Sequence, residues 1–240
     1  MATLVFDIET VGEPWEAFDE VTKKALTKYV SSASVQDSER ETERIKSQLG
    51  FSPLTGFIVA IGMYDVERRL GAVYYVGDGD EAQWVDGDFT YKERSEKVML
   101  EEFWEGARSY DTFVTFNGRA FDIPFMVHRS LAQEVRPSVS LIQSRYLTRQ
   151  TLPYHVDLQD ELTFYGVMQR RPSLHLLCRA YGIESPKGEV DGYEVARLFQ
   201  DKKFSDIATY NARDVIATAE LYDKWKRLLA PPSFLNTIEF

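Results

Sequence analysis

The segment Leu4–Glu9 reads LVFDIE, and its side chains alternate in character along the chain. Alternation with a period of two is typical of a β-strand, in which successive side chains point to opposite faces of the sheet. Asp7 and Glu9 therefore share one face. Carboxylates placed in this way suit hard divalent cations, and enzymes that transfer phosphoryl groups use pairs of such ions. A solvated strand end is the alternative interpretation of the same two acids.

The segment Thr115–Pro124 reads TFNGRAFDIP and brings a third acid, Asp122, after a predicted strand. Asn117 and Gly118 are typical turn residues, and a helix is predicted to begin at Asp122 and to reach Ala132. The positive end of the helix dipole favours a carboxylate at this position. The sequence leaves two roles open for Asp122, a helix cap and a metal ligand.

The segment Tyr210–Asp214 reads YNARD and lies in a helix predicted over residues 205–229. Side chains four positions apart lie on one face of a helix, so Tyr210 and Asp214 can address the same site. Each of the three patterns is common by chance when it stands alone. Their order is the informative property, because they fall on a strand, a strand–helix junction and a helix.

The remaining sequence predicts a single α/β domain over residues 1–240. A helical insertion is expected at about residues 13–50, followed by a β-hairpin within residues 56–76 and an acidic loop. Further elements are predicted by the same patterns: a helix at 95–110, strands at 111–116 and around 155–158, and helices at 173–181 and 192–200. Asp157 ends the last of these strands, and a surface carboxylate is favoured there over an acid that supports the site.

The chain has 28 basic and 38 acidic residues, so its net charge is 28 − 38 = −10. This balance argues against a general nucleic-acid coat. Four arginines at positions 129–149 form a locally basic stretch that suits either a phosphate backbone or a solvated surface. The single cysteine, Cys178, fits a cytoplasmic protein. Asp7 and Glu9 interrupt the first apolar run, so no export signal is expected. The longest uncharged run, Ser47–Tyr64, is broken by glycines and a proline, so no membrane span is expected.

The three acidic segments resemble the motifs of the DEDD superfamily of 3′-to-5′ exonucleases. The corresponding stretches here are Asp7–Thr10, Asn117–Asp122 and Tyr210–Asp214. One subclass has histidine five residues before the last acid, where this chain has Thr209. The match is therefore to the subclass that has tyrosine in the third motif.

The flanking segments Ser52–Gly56 and Leu174–Leu177 resemble predicted stand-alone exonucleases related to the proofreading domain of family B DNA polymerases. The resemblance spans nearly the whole chain. It implies a ribonuclease H-like α/β fold, in which a mixed five-stranded sheet is flanked by helices. It also implies that the helical insertion follows the first strand.

The resemblance further implies a set of functional residues. The ligands of two Mg²⁺ or Mn²⁺ ions would be Asp7, Glu9, Asp122 and Asp214. Tyr210 would complete the catalytic set by orienting the attacking water. Substrate contacts would come from Ile8, Thr10, Asn117 and Phe121, the last by stacking on a base.

The implied substrate is the 3′ end of a single strand, with DNA favoured and nucleoside 5′-monophosphates as products. Two alternatives remain open from the sequence, an exoribonuclease that trims RNA 3′ ends and a catalytically silent nucleic-acid-binding module of the same fold. The complete set of acids argues against the silent module. No membrane partner is expected, and protein partners are unknown.

Overall fold

The computed structural model describes residues 2–28, 35–79, 82–141, 152–185, 192–232 and 234. Within these ranges seven strands form one sheet: β1 (Thr3–Gly12), β2 (Gly56–Asp65), β3 (Leu70–Tyr75), β4 (Gln83–Asp86), β5 (Phe89–Glu93), β6 (Thr112–Thr115) and β7 (Tyr154–Asp157). Their order across the sheet is β4-β5-β3-β2-β1-β6-β7. β1 pairs antiparallel with β2 and parallel with β6, so the sheet is mixed.

The helices of the described ranges surround this sheet. They are α1 (Glu20–Leu26), α2 (Val35–Gln48), α3 (Glu96–Ala107), α4 (Asp122–Ala132), α5 (Leu158–Leu162), α6 (Leu174–Tyr181), α7 (Gly192–Gln200) and α8 (Phe204–Leu228). α1 and α2 lie between β1 and β2, as the helical insertion after the first strand requires. None of the helices in the described part of the chain combines the length and apolarity needed to cross a bilayer.

β1 lies inside the sheet because its first half is apolar on both faces. Phe6 and Ile8 join a buried cluster with residues of α3 and α4, whereas Val5 joins the cluster beneath α8. The alternation predicted from LVFDIE is therefore confirmed. Asp7 and Glu9, on the same face as Val5, consequently point toward α8.

The α/β class and the helical flanks are confirmed, but the sheet has seven strands where five were expected. The segment predicted as an acidic loop forms β4 and β5, which pair across a turn at Gly87 and Asp88. Gly87 has a φ of 55°, a left-handed conformation that suits glycine. The rings of Trp84 and Tyr91 stack with their centroids 4.5 Å apart. This aromatic packing stabilises the hairpin, although its acidic composition had suggested a loop.

Candidate metal centre and active site

Three acids converge where β1 passes under α8. Asp7 and Glu9 come from the strand and Asp214 comes from the helix, and each offers an oxygen within 4.8 Å of the other two. Glu9 is buried and the other two are half-buried. We call these three residues the carboxylate cluster. Oxygen donors at this spacing are the ligand type that hard divalent cations prefer.

Burial and mutual repulsion act on the cluster together. Burial is the main reason why the pKa of Asp7 lies well above its usual value, and the charges of Asp122, Glu9 and Asp214 raise it further. The pKa of Glu9 is also raised well above its usual value, first by burial and then by Asp214 and Asp122. Like charges held close together in a water-poor region disfavour ionisation. A divalent cation would offset this repulsion, so the donor set fits such an ion.

Asp122 is the first residue of α4 and is almost completely buried. Phe121 occupies the cap position, and the Asp122 carboxylate instead accepts a hydrogen bond from the Ile8 backbone N–H at 3.0 Å. Burial raises the pKa of Asp122 to about 7, against the opposing effect of that N–H. The structure thus removes the helix-cap interpretation. Asp122 lies outside the carboxylate cluster, while its charge still acts on Asp7.

Tyr210 lies one turn before Asp214 on α8 and is largely buried. Burial, the nearby carboxylates and a hydrogen bond with Asp214 all raise the pKa of its hydroxyl. The phenol therefore stays protonated at neutral pH. It can donate a hydrogen bond beside the cluster, and it is a poor acceptor of a proton from water.

Asn211 is a residue of this site for which the sequence predicted no role. Its side-chain amide donates to the Asp7 carboxylate at 2.8 Å, and its hydrogen bonds lower the pKa of both Asp7 and Glu9. The amide fits because β2 carries Gly62 opposite it, where a Cβ atom would lie 2.4 Å from Asn211 Oδ1. The sequence signal that could have indicated Asn211 is its position directly after Tyr210. The contact with β1 becomes visible only after folding.

Asp157 ends β7 and is 3% exposed, so the favoured surface interpretation is wrong. Its carboxylate accepts from the backbone N–H groups of Asn117 at 3.0 Å and Arg119 at 2.9 Å. It also caps α5 through the N–H groups of Gln159 at 3.0 Å and Asp160 at 3.3 Å. This one side chain joins the loop that precedes Asp122 to the start of α5. Its burial follows because β7 is covered on both sides of its end by these two segments.

The predicted substrate-contact residues have different environments. The Ile8 side chain is buried in the core, which leaves only its main chain for contact with a ligand. Thr10 is half-buried, and its hydroxyl donates to the carbonyl of Gly50 at 2.7 Å. Asn117 is half-buried and has a φ of 65°, in agreement with the predicted turn. Its backbone N–H donates to Asp157, and its side-chain oxygen accepts a hydrogen bond from Arg171 at 3.4 Å.

Phe121 is half-buried and lies beside a second ring that the sequence did not single out. Its ring packs edge-on against Phe51, with the centroids 6.5 Å apart. Phe51 ends the short helical turn Leu49–Phe51 before β2 and is 46% exposed. The two rings form an apolar surface next to Asp122, of the kind on which bases stack.

Arg129, the first arginine of the basic stretch, has a structural role. Arg129 donates to both carboxylate oxygens of Glu96, at 2.8 and 2.7 Å. The backbone N–H of Ile58 also donates to Glu96 at 2.8 Å. Arg129 is therefore committed to a largely buried ion pair. Arg145 and Arg149 lie outside the described residues.

Comparison with solved structures defines the class of this fold. The chain is similar to the family B DNA polymerase from the hyperthermophilic archaeon Pyrobaculum calidifontis, with a TM-score of 0.55 and 16% sequence identity. The match covers 94% of this chain and 24% of the polymerase chain. This likeness confirms the ribonuclease H-like α/β fold expected for an exonuclease domain.

Comparison with protein families is more specific. Residues 68–230 match the family described as predicted 3′-5′ exonucleases related to the exonuclease domain of PolB. The chain belongs to this family. The matched segment includes Asp122, Tyr210 and Asp214, and the folded structure adds Asp7 and Glu9 to them. No curated protein matches the chain in a sequence comparison.

Proposed function

We propose that residues 1–240 form a single two-metal 3′-to-5′ exonuclease domain, which hydrolyses single-stranded nucleic acid to nucleoside 5′-monophosphates. The observation that carries this proposal is the convergence of three carboxylates from β1 and α8, with Asp122 held against the same strand. Exonuclease domains of this type use divalent metals. Single-stranded DNA is the favoured substrate, because the fold likeness is to a DNA polymerase.

The metal ligands in this proposal are Asp7, Glu9, Asp122 and Asp214, and the ions are Mg²⁺ or Mn²⁺. Bound divalent ions supply Lewis-acid chemistry, which offsets the charge that develops on the phosphodiester and lowers the pKa of water. The four carboxylates would hold these ions where β1 passes under α8. Asn211 fixes the orientation of Asp7 through its 2.8 Å hydrogen bond.

Tyr210 orients the attacking water in this mechanism. Because the pKa of its hydroxyl is raised, the phenol acts through a hydrogen bond and leaves the proton of the water to other acceptors. The water oxygen forms a bond to the terminal phosphorus, and the 3′ oxygen of the preceding nucleotide leaves with the electron pair. The phosphate stays on the released nucleotide, which is a 5′-monophosphate.

The terminal nucleotide is proposed to lie on the apolar surface of Phe121 and Phe51. Stacking on such rings tolerates any base, so little sequence preference is expected. Asn117 supplies a polar side chain for the sugar or base. Thr10 and the main chain of Ile8 contact the substrate from β1 in this proposal.

We assign the enzyme to the cytoplasm. Its one cysteine, Cys178, is a buried thiol whose pKa is raised to about 11 by burial and by the charges of Glu220 and Asp214. A buried thiol that stays protonated is suited to a structural role in a reducing compartment.

Digestion of two matched single strands, labelled at opposite ends, tests the proposed function. With Mn²⁺, we expect the 3′-labelled strand to release labelled mononucleotide first and the 5′-labelled strand to shorten one nucleotide at a time. DNA and RNA of matched sequence are compared by their initial rates. Asp7→Asn, purified identically, controls for contaminating nucleases. Internal fragments as the earliest products, or loss that starts at the 5′ end, would contradict the proposal.

A further inference from the structure

The segment between α5 and α6, residues 163–173, presents apolar side chains to solvent. We call it the α5–α6 loop. Its exposed apolar residues are Phe164 at 64%, Tyr165 at 55%, Val167 at 80% and Met168 at 45%. Four such residues within five positions form a patch of the kind that marks an interaction surface.

The chain holds this patch outward through an ordered turn. Phe164, Tyr165 and Gly166 have φ angles of 53°, 56° and 88°, so three consecutive residues are left-handed. Aromatic residues rarely adopt this conformation, which persists where the surrounding structure holds it. Here the N–H of Tyr165 donates to the carbonyl of Asp160 at 2.8 Å, and the N–H of Met168 donates to that of Thr163 at 3.1 Å. The local backbone conformation and its hydrogen bonds therefore keep the two rings exposed.

The loop is linked by side-chain contacts to the segment that leads to Asp122. Asp160, one turn before Tyr165, pairs with Arg119 at 3.1 Å, and Arg119 lies in the loop that leads to Asp122. From the other end of the α5–α6 loop, Arg171 lies 3.9 Å from the same carboxylate. Arg171 also donates to the side-chain oxygen of Asn117 at 3.4 Å. Asp160 in α5, just before the loop, and Arg171 near the end of the loop thus both contact the segment that carries Asn117 and Asp122.

The charge of the loop differs from that of the chain as a whole. Residues 163–173 contain Arg170 and Arg171 and no acidic residue, in a protein with a net charge of −10. The Arg171 side chain is 54% exposed. Exposed rings beside guanidinium groups are the combination that binds single strands, through base stacking and phosphate contacts.

We infer that the α5–α6 loop is a second subsite, which binds the nucleotides upstream of the terminal one in a single strand. This inference rests on the proposed function, because it is the carboxylate cluster that defines where the 3′ end lies. Phe164 and Tyr165 stack on upstream bases, and Arg171 contacts a phosphate between them and Asn117. The subsite attracts the nucleic acid locally, in a protein whose net negative charge would otherwise repel it.

Strands of two lengths test this inference. The affinity for a strand of about twelve nucleotides and for a dinucleotide is measured by fluorescence anisotropy in Ca²⁺, with the integrity of the label checked on a gel. In the double variant Phe164→Ala/Tyr165→Ala we expect the Kd for the long strand to rise about 10-fold, and that for the dinucleotide to rise much less. The matched control is Leu70→Ala/Val85→Ala, which removes two exposed apolar side chains at 56% and 66% from the far part of the sheet.

A conservative variant and a charge variant complete the experiment. Tyr165→Phe keeps the ring and should retain the affinity for the long strand. Arg171→Ala should reduce the slope of log Kd against log salt concentration by about the amount expected for one phosphate contact. Arg108→Ala, which also replaces an exposed arginine, should leave this slope unchanged. Equal long-strand affinities of the wild type and the double variant would overturn the subsite. Wild-type protein that binds strands through the loop but hydrolyses none would instead overturn the proposed function.

Discussion

Two groups of buried or half-buried acids in this protein differ in what surrounds them. Asp157 accepts four backbone N–H groups, and Glu96 is bound by Arg129 and by a backbone N–H. The acids of the carboxylate cluster face one another, and the side chains of Asn211 and Tyr210 make hydrogen bonds to them. The first group joins segments of the fold, whereas the second concentrates negative charge.

The difference shows how burial serves two purposes. Burial raises the pKa of Asp157, and the N–H groups that it accepts oppose that rise. In the cluster, the neighbouring charges act in the same direction as burial. A buried carboxylate that has enough donors contributes to stability, and one that lacks them has a reason to bind a cation. Substitutions in the two groups should therefore affect different measurements.

Asp7→Asn should have the largest effect. It removes a proposed ligand while keeping the shape of the side chain, and we expect turnover to fall by more than about 1000-fold. The measurement is the rate of mononucleotide release at saturating Mn²⁺ and substrate. Asp223→Asn, an exposed acid on α8, is the control and should retain activity. Near-wild-type hydrolysis by Asp7→Asn would exclude the cluster as the metal site.

Asp157→Ala should act mainly on stability. Four backbone N–H groups lose their acceptor in a buried region, and we expect the free energy of unfolding to fall by roughly 2–4 kcal/mol. Urea unfolding measures this change, with Asp86→Ala on the exposed strand β4 as the control. A change below about 0.5 kcal/mol would show that Asp157 does not hold the two segments together.

Tyr210→Phe should lower kcat by about 100-fold, because a positioning hydrogen bond is lost from a preorganised site. The Mn²⁺ concentration that gives half-maximal activity should change much less, since the phenol is not a proposed ligand. Tyr222→Phe, a buried tyrosine further along α8, is the matched control. An unchanged kcat would remove Tyr210 from the mechanism.

The smallest expected effect is the change in stability of the metal-free protein when Asp122, a proposed ligand, is replaced by Asn. The pKa of Asp122 is about 7 in the folded protein and near 3.9 in the unfolded chain. Ionisation of this acid therefore destabilises the folded state as the pH rises from about 4 to about 7. The amide oxygen can still accept from Ile8. In EDTA at about pH 8 we expect the variant to be more stable than the wild type by at least about 1 kcal/mol, and the difference should shrink at about pH 5 and vanish below about pH 4. A variant less stable at both pH values would contradict the raised pKa that burial gives Asp122.

Prediction from the sequence succeeded where the signal is local. The helix expected over Asp122–Ala132 has the same bounds in the structure, because the turn residues and apolar spacing that define it are neighbours in the chain. The hairpin of β4 and β5 was missed, although Asp86 followed by Gly87 is a turn signal. Its acidic residues suggested a loop, and the stacking of Trp84 on Tyr91 that opposes this is a contact between strands.

Local patterns were sufficient for β1, for the helical turn that separates Tyr210 from Asp214, and for the start of α4. These depend on backbone periodicity and on turn chemistry, which act over a few residues. The folded chain alone reveals that Asn211 binds Asp7, that Asp157 joins two segments, and that the Phe51 ring lies against Phe121. Each of these contacts joins residues that are remote in sequence, and each depends on how sheet and helices pack, which no local pattern records.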